Sequence, residues 1–151
     1  MPLELLIIMV EKKDMLPRIL FLATNYPNQE NQISGIFVKR YALAASKYCN
    51  VAVLHVHMGS RQGITVSTDD GLVEVIVYRK LFKSKNSLLR KPINAYHYTL
   101  GYLFSTLKGI RVAEEQLGKA DIVHVNTTYP AGIAAMVTKL STGTPYLITE
   151  H

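Results

Sequence analysis

Short, uninterrupted apolar runs are the feature of this sequence that most limits the folds open to it. Arg18–Thr24 (RILFLAT) and Val51–Val56 (VAVLHV) are two such runs, and a segment with helical spacing separates them. Runs of this length without polar alternation are typical of strands buried on both faces, as in a parallel sheet covered by helices. A strand, a helix and a second strand in this order predict a right-handed parallel crossover.

The first half of the chain also predicts one helix and one hairpin. Gly35–Lys47 has apolar residues at helical spacing, and Ser34 precedes it as the predicted N-cap. Ile64–Ser67 and Leu72–Tyr78 are rich in β-formers and flank an Asp-Gly pair, which is a strong hairpin signal.

The second half predicts a long helix and a closing strand–helix–strand unit. The long helix covers Ile93–Leu117 and ends before Gly118, a favourable C-cap residue. Strands follow at Asp121–Asn126 and Pro145–Thr149, and Pro130 suits the first helical position between them. The residues expected to face the core are Tyr96, Leu100, Leu103, Leu107, Ile110 and Leu117 in the long helix, and Ile133, Val137 and Leu140 in the closing helix.

The predicted fold is therefore an α/β domain with a Rossmann-like, doubly wound, mainly parallel sheet and an inserted β-hairpin. We expect this domain to cover residues 15–151, with residues 1–14 as an N-terminal extension that is either a short packed helix or a loose segment. The single cysteine, Cys49, cannot form an internal disulfide, and its apolar neighbours indicate a buried side chain. No apolar run approaches the roughly 20 residues that span a bilayer.

Positive charge is concentrated in one segment. The chain carries a net charge of +6, yet Val75–Val112 contains no aspartate or glutamate. This segment is either a solvated face and loop or a patch for anionic lipid or a phosphorylated substrate. No nucleic-acid recognition motif accompanies the charge. The predicted anion patch consists of Arg79, Lys80, Lys83, Lys85, Arg90 and Lys91, in a stretch expected to be mostly loop.

Polar residues follow several predicted strands, where open α/β sheets bind ligands. Gly35 opens a helix whose positive end could receive a phosphate, or it is simply a helix-entry glycine. Asn126 could bind a sugar hydroxyl or cap a turn, and His151 lies at the tip of the last strand. The G-x-G-x-x-G and P-loop motifs are absent after the first strand, which argues against the usual nicotinamide, flavin and nucleotide-hydrolysing sites.

The histidines do not predict a metal centre. We expect His55 and His57 to point to opposite faces of the second strand, so that they cannot share a metal ion. His124 lies inside a predicted buried strand and is expected to be a core histidine with a satisfied ring. No nucleophile–histidine–acid arrangement can be built from the sequence.

Three motifs in order resemble the N-terminal half of the glycosyltransferase family 4 enzymes, which are retaining enzymes of GT-B architecture. The first is Pro27 followed by Ser34–Val38 (SGIFV). The second is Asp121–Asn126 (DIVHVN) followed by Tyr129–Gly132 (YPAG). The third is Gly143–Tyr146 (GTPY) leading to Thr149-Glu150-His151. The resemblance covers about Leu16 to the end of the chain.

The resemblance implies a fold, an activity and a set of site residues. Two Rossmann-like domains would face each other across a cleft, the N-terminal one holding the sugar acceptor and a C-terminal one, absent here, holding the nucleotide-sugar donor. No cofactor and no metal are implied, and the chain alone is expected to have little transferase activity. The implied substrate-binding residues are Ser34 and Gly35 near the donor diphosphate, and Asn126, Tyr129, Gly132, Glu150 and His151 around the sugar. Many members of that family have histidine where Asn126 stands, so no catalytic residue is assigned.

Two further hypotheses remain open at this stage. The chain could be a non-catalytic Rossmann-like module that binds ligands or docks on a membrane. It could also be a dinucleotide-binding oxidoreductase domain, against which the missing glycine fingerprint counts. By resemblance the protein would work in the cytoplasm or on the inner face of the membrane, with Arg79–Arg90 docking on anionic lipid.

Overall fold

A single six-stranded sheet organises the chain. The computed structural model describes residues 16–81 and 90–150. The strands are β1 (Arg18–Ala23), β2 (Asn50–Gly59), β3 (Gly63–Asp69), β4 (Leu72–Lys80), β5 (Ile122–Asn126) and β6 (Tyr146–Thr149), and the helices are α1 (Ile36–Ala45), α2 (Arg90–Leu117) and α3 (Ile133–Thr142). The strand order is β3-β4-β2-β1-β5-β6, and every neighbouring pair is parallel except β3 and β4. The predicted open, mainly parallel α/β sheet is therefore confirmed, and it is consistent with a Rossmann-like fold.

Alternating side chains of the central strands build two cores. Leu20 and Leu22 of β1 point towards α2 and α3, while Phe21 and Ala23 point towards α1. Each face is closed by helices, so β1 and β2 are apolar on both sides, as their unbroken apolar sequences predicted. The predicted hairpin is also confirmed: β3 and β4 are joined at Asp70 and Gly71, whose φ angles of 45° and 81° match the favoured two-residue turn.

Small residues set how closely α2 approaches the sheet. A Cβ atom on Gly109 would lie 2.4 Å from Cδ1 of Leu54, so the missing side chain is what lets the helix pack there. Gly118 ends α2 with a φ angle of 83°, which confirms its predicted role as a C-cap residue. Gly143 ends α3 in the same way, with a φ angle of 77°.

Three local predictions about the helices are wrong. Tyr96, in the first part of α2, is 63% exposed. Leu140 is 80% exposed, because α3 packs through the smaller residues Ala134, Ala135 and Thr138. Pro130 does not open α3. It follows a cis peptide bond inside the kinked segment Thr128–Gly132, where the backbone of Tyr129 is extended, and α3 begins only at Ile133.

Candidate functional site

The sheet has one topological switch point, between β1 and β5. From β1 the chain continues to β2 on one side, and from β5 it continues to β6 on the other. The connections that leave the carboxyl ends of these two neighbouring strands therefore diverge and open a crevice. In open α/β sheets this is the usual position of a ligand.

A cavity of about 360 Å³ lies at this switch point, lined by Asn25, Phe37, Val38, Asn126 and Thr127. The residues come from the connection after β1, the first turn of α1, and the end of β5. Most of the lining is apolar, with few polar groups, which is the usual composition of a small-molecule site.

Asn126 supplies the polar group that singles out this cavity. It is the last residue of β5, pairs with Ala23 in the parallel ladder, and is only 4% exposed. Its Nδ2 atom is buried and has no hydrogen-bond partner among the described residues. An unsatisfied buried donor typically costs about 1–3 kcal/mol, so a ligand that accepts this hydrogen bond would recover that energy.

Gly35 is needed for packing inside the protein. Its φ angle is 61°, and a Cβ atom there would lie 2.1 Å from the carbonyl oxygen of Asn25. The side of Gly35 where a Cβ atom would lie is therefore occupied by the backbone of the connection after β1. A phosphate contact at the start of α1 stays a prediction. The prediction that Ser34 caps α1 is wrong, because Gly35 occupies the cap position and makes no side-chain capping bond.

Two asparagines hold the connection from Thr24 to Gly35 in shape. The Oδ1 atom of Asn28 accepts hydrogen bonds from the backbone N–H groups of Glu30 and Asn31. The Oδ1 atom of Asn31 in turn accepts from the N–H groups of Ile33 and Ser34. These turns deliver the chain to the start of α1, and the repeated asparagines of NYPNQENQIS were the sequence signal for them.

A partly buried ionic cluster anchors the same connection to the sheet. The hydroxyl group of Tyr26 donates a 2.5 Å hydrogen bond to the carboxylate of Glu74 in β4. The Nζ atom of Lys39 lies 3.0 Å from Glu74 and 3.0 Å from Asp69. Sequence reasoning missed this cluster, although the lone acid in the strand LVEVIV was a usable signal.

The pKa values in the cluster reflect burial and charge. Burial raises the pKa of Tyr26, and the neighbouring Glu74 raises it further. Burial alone would lower the pKa of Lys39, but its hydrogen bonds to Asp69 and Glu74 raise it above the ordinary value. The lysine therefore stays protonated and neutralises the buried carboxylate.

Replacing Glu74 with glutamine is expected to lower the free energy of unfolding by about 2 kcal/mol, since hydrogen bonds to a charged acceptor are lost with little change in volume. Urea unfolding at neutral pH measures this loss. Glu115→Gln, at an exposed position of α2, is the matched control and should change stability by less than about 0.5 kcal/mol. Equal effects of the two substitutions would show that Glu74 does not anchor the connection.

His55 and His57 share one face of β2, so the prediction of opposite faces is wrong. Residues two apart on a strand point the same way, and the two ring centroids are 6.1 Å apart. The Nδ1 atom of His55 lies 3.0 Å from the carbonyl oxygen of Ala23, and the Nε2 atom of His57 lies 2.9 Å from Glu30. Even so, the described residues contain no cluster of three or more His, Cys, Asp or Glu that could hold a metal ion.

Other predicted site residues lie around the ends of β5 and β6. Tyr129 is 56% exposed and its hydroxyl group lies 2.9 Å from Oγ1 of Thr99 in α2. Gly132 is buried at the end of the kinked segment. The carboxylate of Glu150 accepts a 2.6 Å hydrogen bond from the N–H group of Thr128 and thereby ties the two strand ends together.

The structure describes one of the two histidines in the closing strand–helix–strand unit. His151 lies outside the described residues. His124 is partly buried, with its Nε2 atom 2.9 Å from Oγ1 of Thr149 and its ring 4.6 Å from the ring of Phe21. The ring has a hydrogen-bond partner, as expected, but the prediction of a core position is wrong because His124 is only partly buried.

The predicted basic patch is only partly within the described structure. Arg79 and Lys80 are exposed at the end of β4, so they belong to a strand and not to the predicted loop. Arg90 and Lys91 form part of the first turn of α2, and Lys83 and Lys85 lie outside the described residues, as does the proposed extension 1–14. None of the described helices is long and apolar enough to cross a membrane. Docking on anionic lipid stays a prediction.

The fold and the cavity together define a Rossmann-like α/β domain with a candidate ligand site at its switch point. Comparison with known families matches residues 31–151 to the model of a domain of unknown function, DUF3492. The chain belongs to this family. No curated protein matches the chain.

Proposed function

We propose that the chain is the acceptor-side domain of a retaining glycosyltransferase of GT-B architecture, which moves a sugar from a nucleotide-sugar donor to an acceptor hydroxyl group. The observation that carries the proposal is the switch-point cavity with the unpartnered amide of Asn126. The motifs after β1, after β5 and at β6 resemble those of the glycosyltransferase family 4 enzymes, and this resemblance supports the same class of enzyme.

The chemistry of the cavity suits a sugar ring. A pyranose has apolar C–H faces and hydroxyl groups along its edge. In the cavity, Phe37 and Val38 provide an apolar wall, and the Nδ2 atom of Asn126 provides a donor for one hydroxyl oxygen. A few precisely placed polar groups on an apolar wall are the general means by which pockets orient small ligands.

The position of α1 suits the departing diphosphate. The helix begins at Ile36, beside the cavity, and the N-terminus of a helix carries a partial positive charge. Charge that develops on the leaving group would be stabilised there, which is a major part of catalysis when no protein nucleophile acts. In this proposal the donor nucleotide itself is held by a second Rossmann-like domain across the cleft.

Asn126→Ala is the direct test of the cavity. The substitution removes an unsatisfied donor, so we expect the free energy of unfolding to stay the same or to rise by about 1 kcal/mol. Sugar binding should weaken about tenfold, since one buried hydrogen bond to the ligand is lost. Amide shifts in NMR spectra of the 151-residue chain, titrated with methyl pyranosides and nucleotide sugars, measure binding at Asn25, Phe37 and Val38.

Gln116→Ala, which removes an exposed amide from α2, is the control and should leave the titration unchanged. Sugar-induced shifts that fall elsewhere, or an Asn126→Ala variant that binds as well as the parent, would contradict the proposed site. Binding of a reduced nicotinamide in place of a sugar would favour the oxidoreductase alternative, and sugar binding without transfer by the natural polypeptide would favour the non-catalytic binding module.

A further inference from the structure

A second cavity lies between the end of β4 and the middle of α2, two strands away from β1. Its volume is about 210 Å³. Five side chains able to donate hydrogen bonds line it, and they come from three parts of the chain: Gln62 before β3, Tyr78 and Arg79 at the end of β4, and Ser105 and Lys108 on α2. Tertiary structure, not sequence proximity, brings these groups together.

The cavity has an unbalanced positive charge. Arg79 and Lys108 both line it, and none of its lining residues is acidic. Within residues 16–81 and 90–150, neither cation forms an ion pair, whereas Lys39 and Arg61 do. Two cations in one concave site create a local positive potential that favours an anion.

The backbone of α2 positions the guanidinium group of Arg79. The arginine side chain lies across Gly101, where an added Cβ atom would be 2.7 Å from its Nε atom. Its Nη1 atom lies 3.5 Å from Oγ of Ser105. Because Gly101 has no side chain, the side chain of Arg79 can lie along the helix and face the cavity.

We propose that this cavity binds a phosphate group. Guanidinium and ammonium groups are the usual partners of phosphate oxygens, and the planar donor fork of arginine can hold two oxygens at once. The phosphate could belong to a lipid headgroup or to a soluble phosphorylated molecule. The proposal does not depend on the sugar site, because the two cavities share no lining residue.

Titration of the chain with inorganic phosphate, followed by NMR, tests the site. We expect amide shifts at Gln62, Gly63, Ser105 and Lys108. Arg79→Gln should weaken binding about tenfold, because a charge-assisted hydrogen bond is lost. Gly101→Ala should also weaken binding although it preserves the charge, since the new methyl group displaces the guanidinium group.

Arg40→Gln is the control, because it removes an exposed cation from α1 on the other face of the sheet. It should leave phosphate binding unchanged. Vesicles of phosphatidylcholine with and without phosphatidic acid identify the source of the phosphate group. If the chain sediments with the acidic vesicles and Arg79→Gln abolishes this, the ligand is a lipid headgroup. If the chain binds phosphate but does not sediment with the vesicles, the ligand is soluble. The proposal is overturned if phosphate produces no shifts at the cavity, or if Arg40→Gln weakens binding as much as Arg79→Gln.

Discussion

Replacing Gly35 with alanine is expected to lower the free energy of unfolding by about 3–4 kcal/mol. Two costs add at this position. A left-handed backbone costs a non-glycine residue about 1–2 kcal/mol, and steric overlap in a packed region costs about 1–3 kcal/mol more. The overlap is severe, because the new methyl group would meet the backbone of Asn25 and Tyr26, which cannot swing aside as a side chain can.

Gly71→Ala separates these two costs. Gly71 also has a positive φ angle, 81°, but a Cβ atom there would meet nothing within 4 Å. The control should therefore lose only about 1–2 kcal/mol in urea unfolding. In the Gly35 variant the amide resonances of the cavity residues should also shift, because the wall formed by Phe37 and Val38 begins at this glycine. Equal losses for the two variants would mean that the contact with Asn25 has no energetic role.

Acidification is expected to destabilise the protein by about 2–3 kcal/mol between pH 7.5 and pH 4.5 through His55 alone. Burial lowers the pKa of His55 to about 4 in the folded chain; its bond to the Ala23 carbonyl opposes this shift, and the nearby His57 adds to it. The unfolded chain binds the proton near pH 6.5. The contribution of His55 to stability is therefore full above pH 6.5 and is lost as the pH falls to about 4.

Comparison of the parent chain with His55→Phe isolates this contribution. The variant loses a hydrogen bond to Ala23 and should be less stable at pH 7.5 by about 1 kcal/mol. Its stability should then decline less between pH 7.5 and pH 4.5, since other titrating groups act equally in both proteins. Urea unfolding at the two pH values gives the difference, and identical pH dependence in both chains would show that His55 does not stay neutral in the folded state.

The sheet was predictable because its signals are local. Unbroken apolar runs marked β1, β2 and β5, and the turn at Asp70 and Gly71 marked the hairpin. The shared face of His55 and His57 was also predictable from the two-residue period of a strand. The prediction of opposite faces applied that period wrongly.

The details of the candidate site depend on contacts that are distant in sequence. Gly35 replaces Ser34 as the cap residue because the chain passes against Asn25, and nothing near Ser34 indicates that contact. Tyr26, Lys39 and Glu74 meet only after three elements have packed. Leu140 is exposed because α3 packs its smaller residues against the core, and helical spacing alone does not indicate which face packs.

One crevice combines several features that the sequence predicted for a ligand region. The connections after β1 and β5 line a cavity that also holds the unpartnered Nδ2 atom of Asn126. Tyr129 and Glu150 lie at the adjoining strand ends, where they bond to Thr99 and Thr128. Gly35 shapes the entry to α1 through its close approach to Asn25, and a phosphate contact at Gly35 stays a prediction.

Sugar transfer by the natural polypeptide that contains this chain is the most direct test of the account. The polypeptide and its Asn126→Ala variant would be incubated with uridine, guanosine, adenosine and thymidine diphosphate sugars, and with methyl pyranosides as acceptors. NMR would follow release of the nucleoside diphosphate and the anomeric configuration of the glycoside formed on the acceptor. We predict that at least one donor is consumed with retention of configuration, and that the variant transfers about tenfold more slowly. Consumption of no donor, or transfer that is unchanged in the variant, would contradict this prediction.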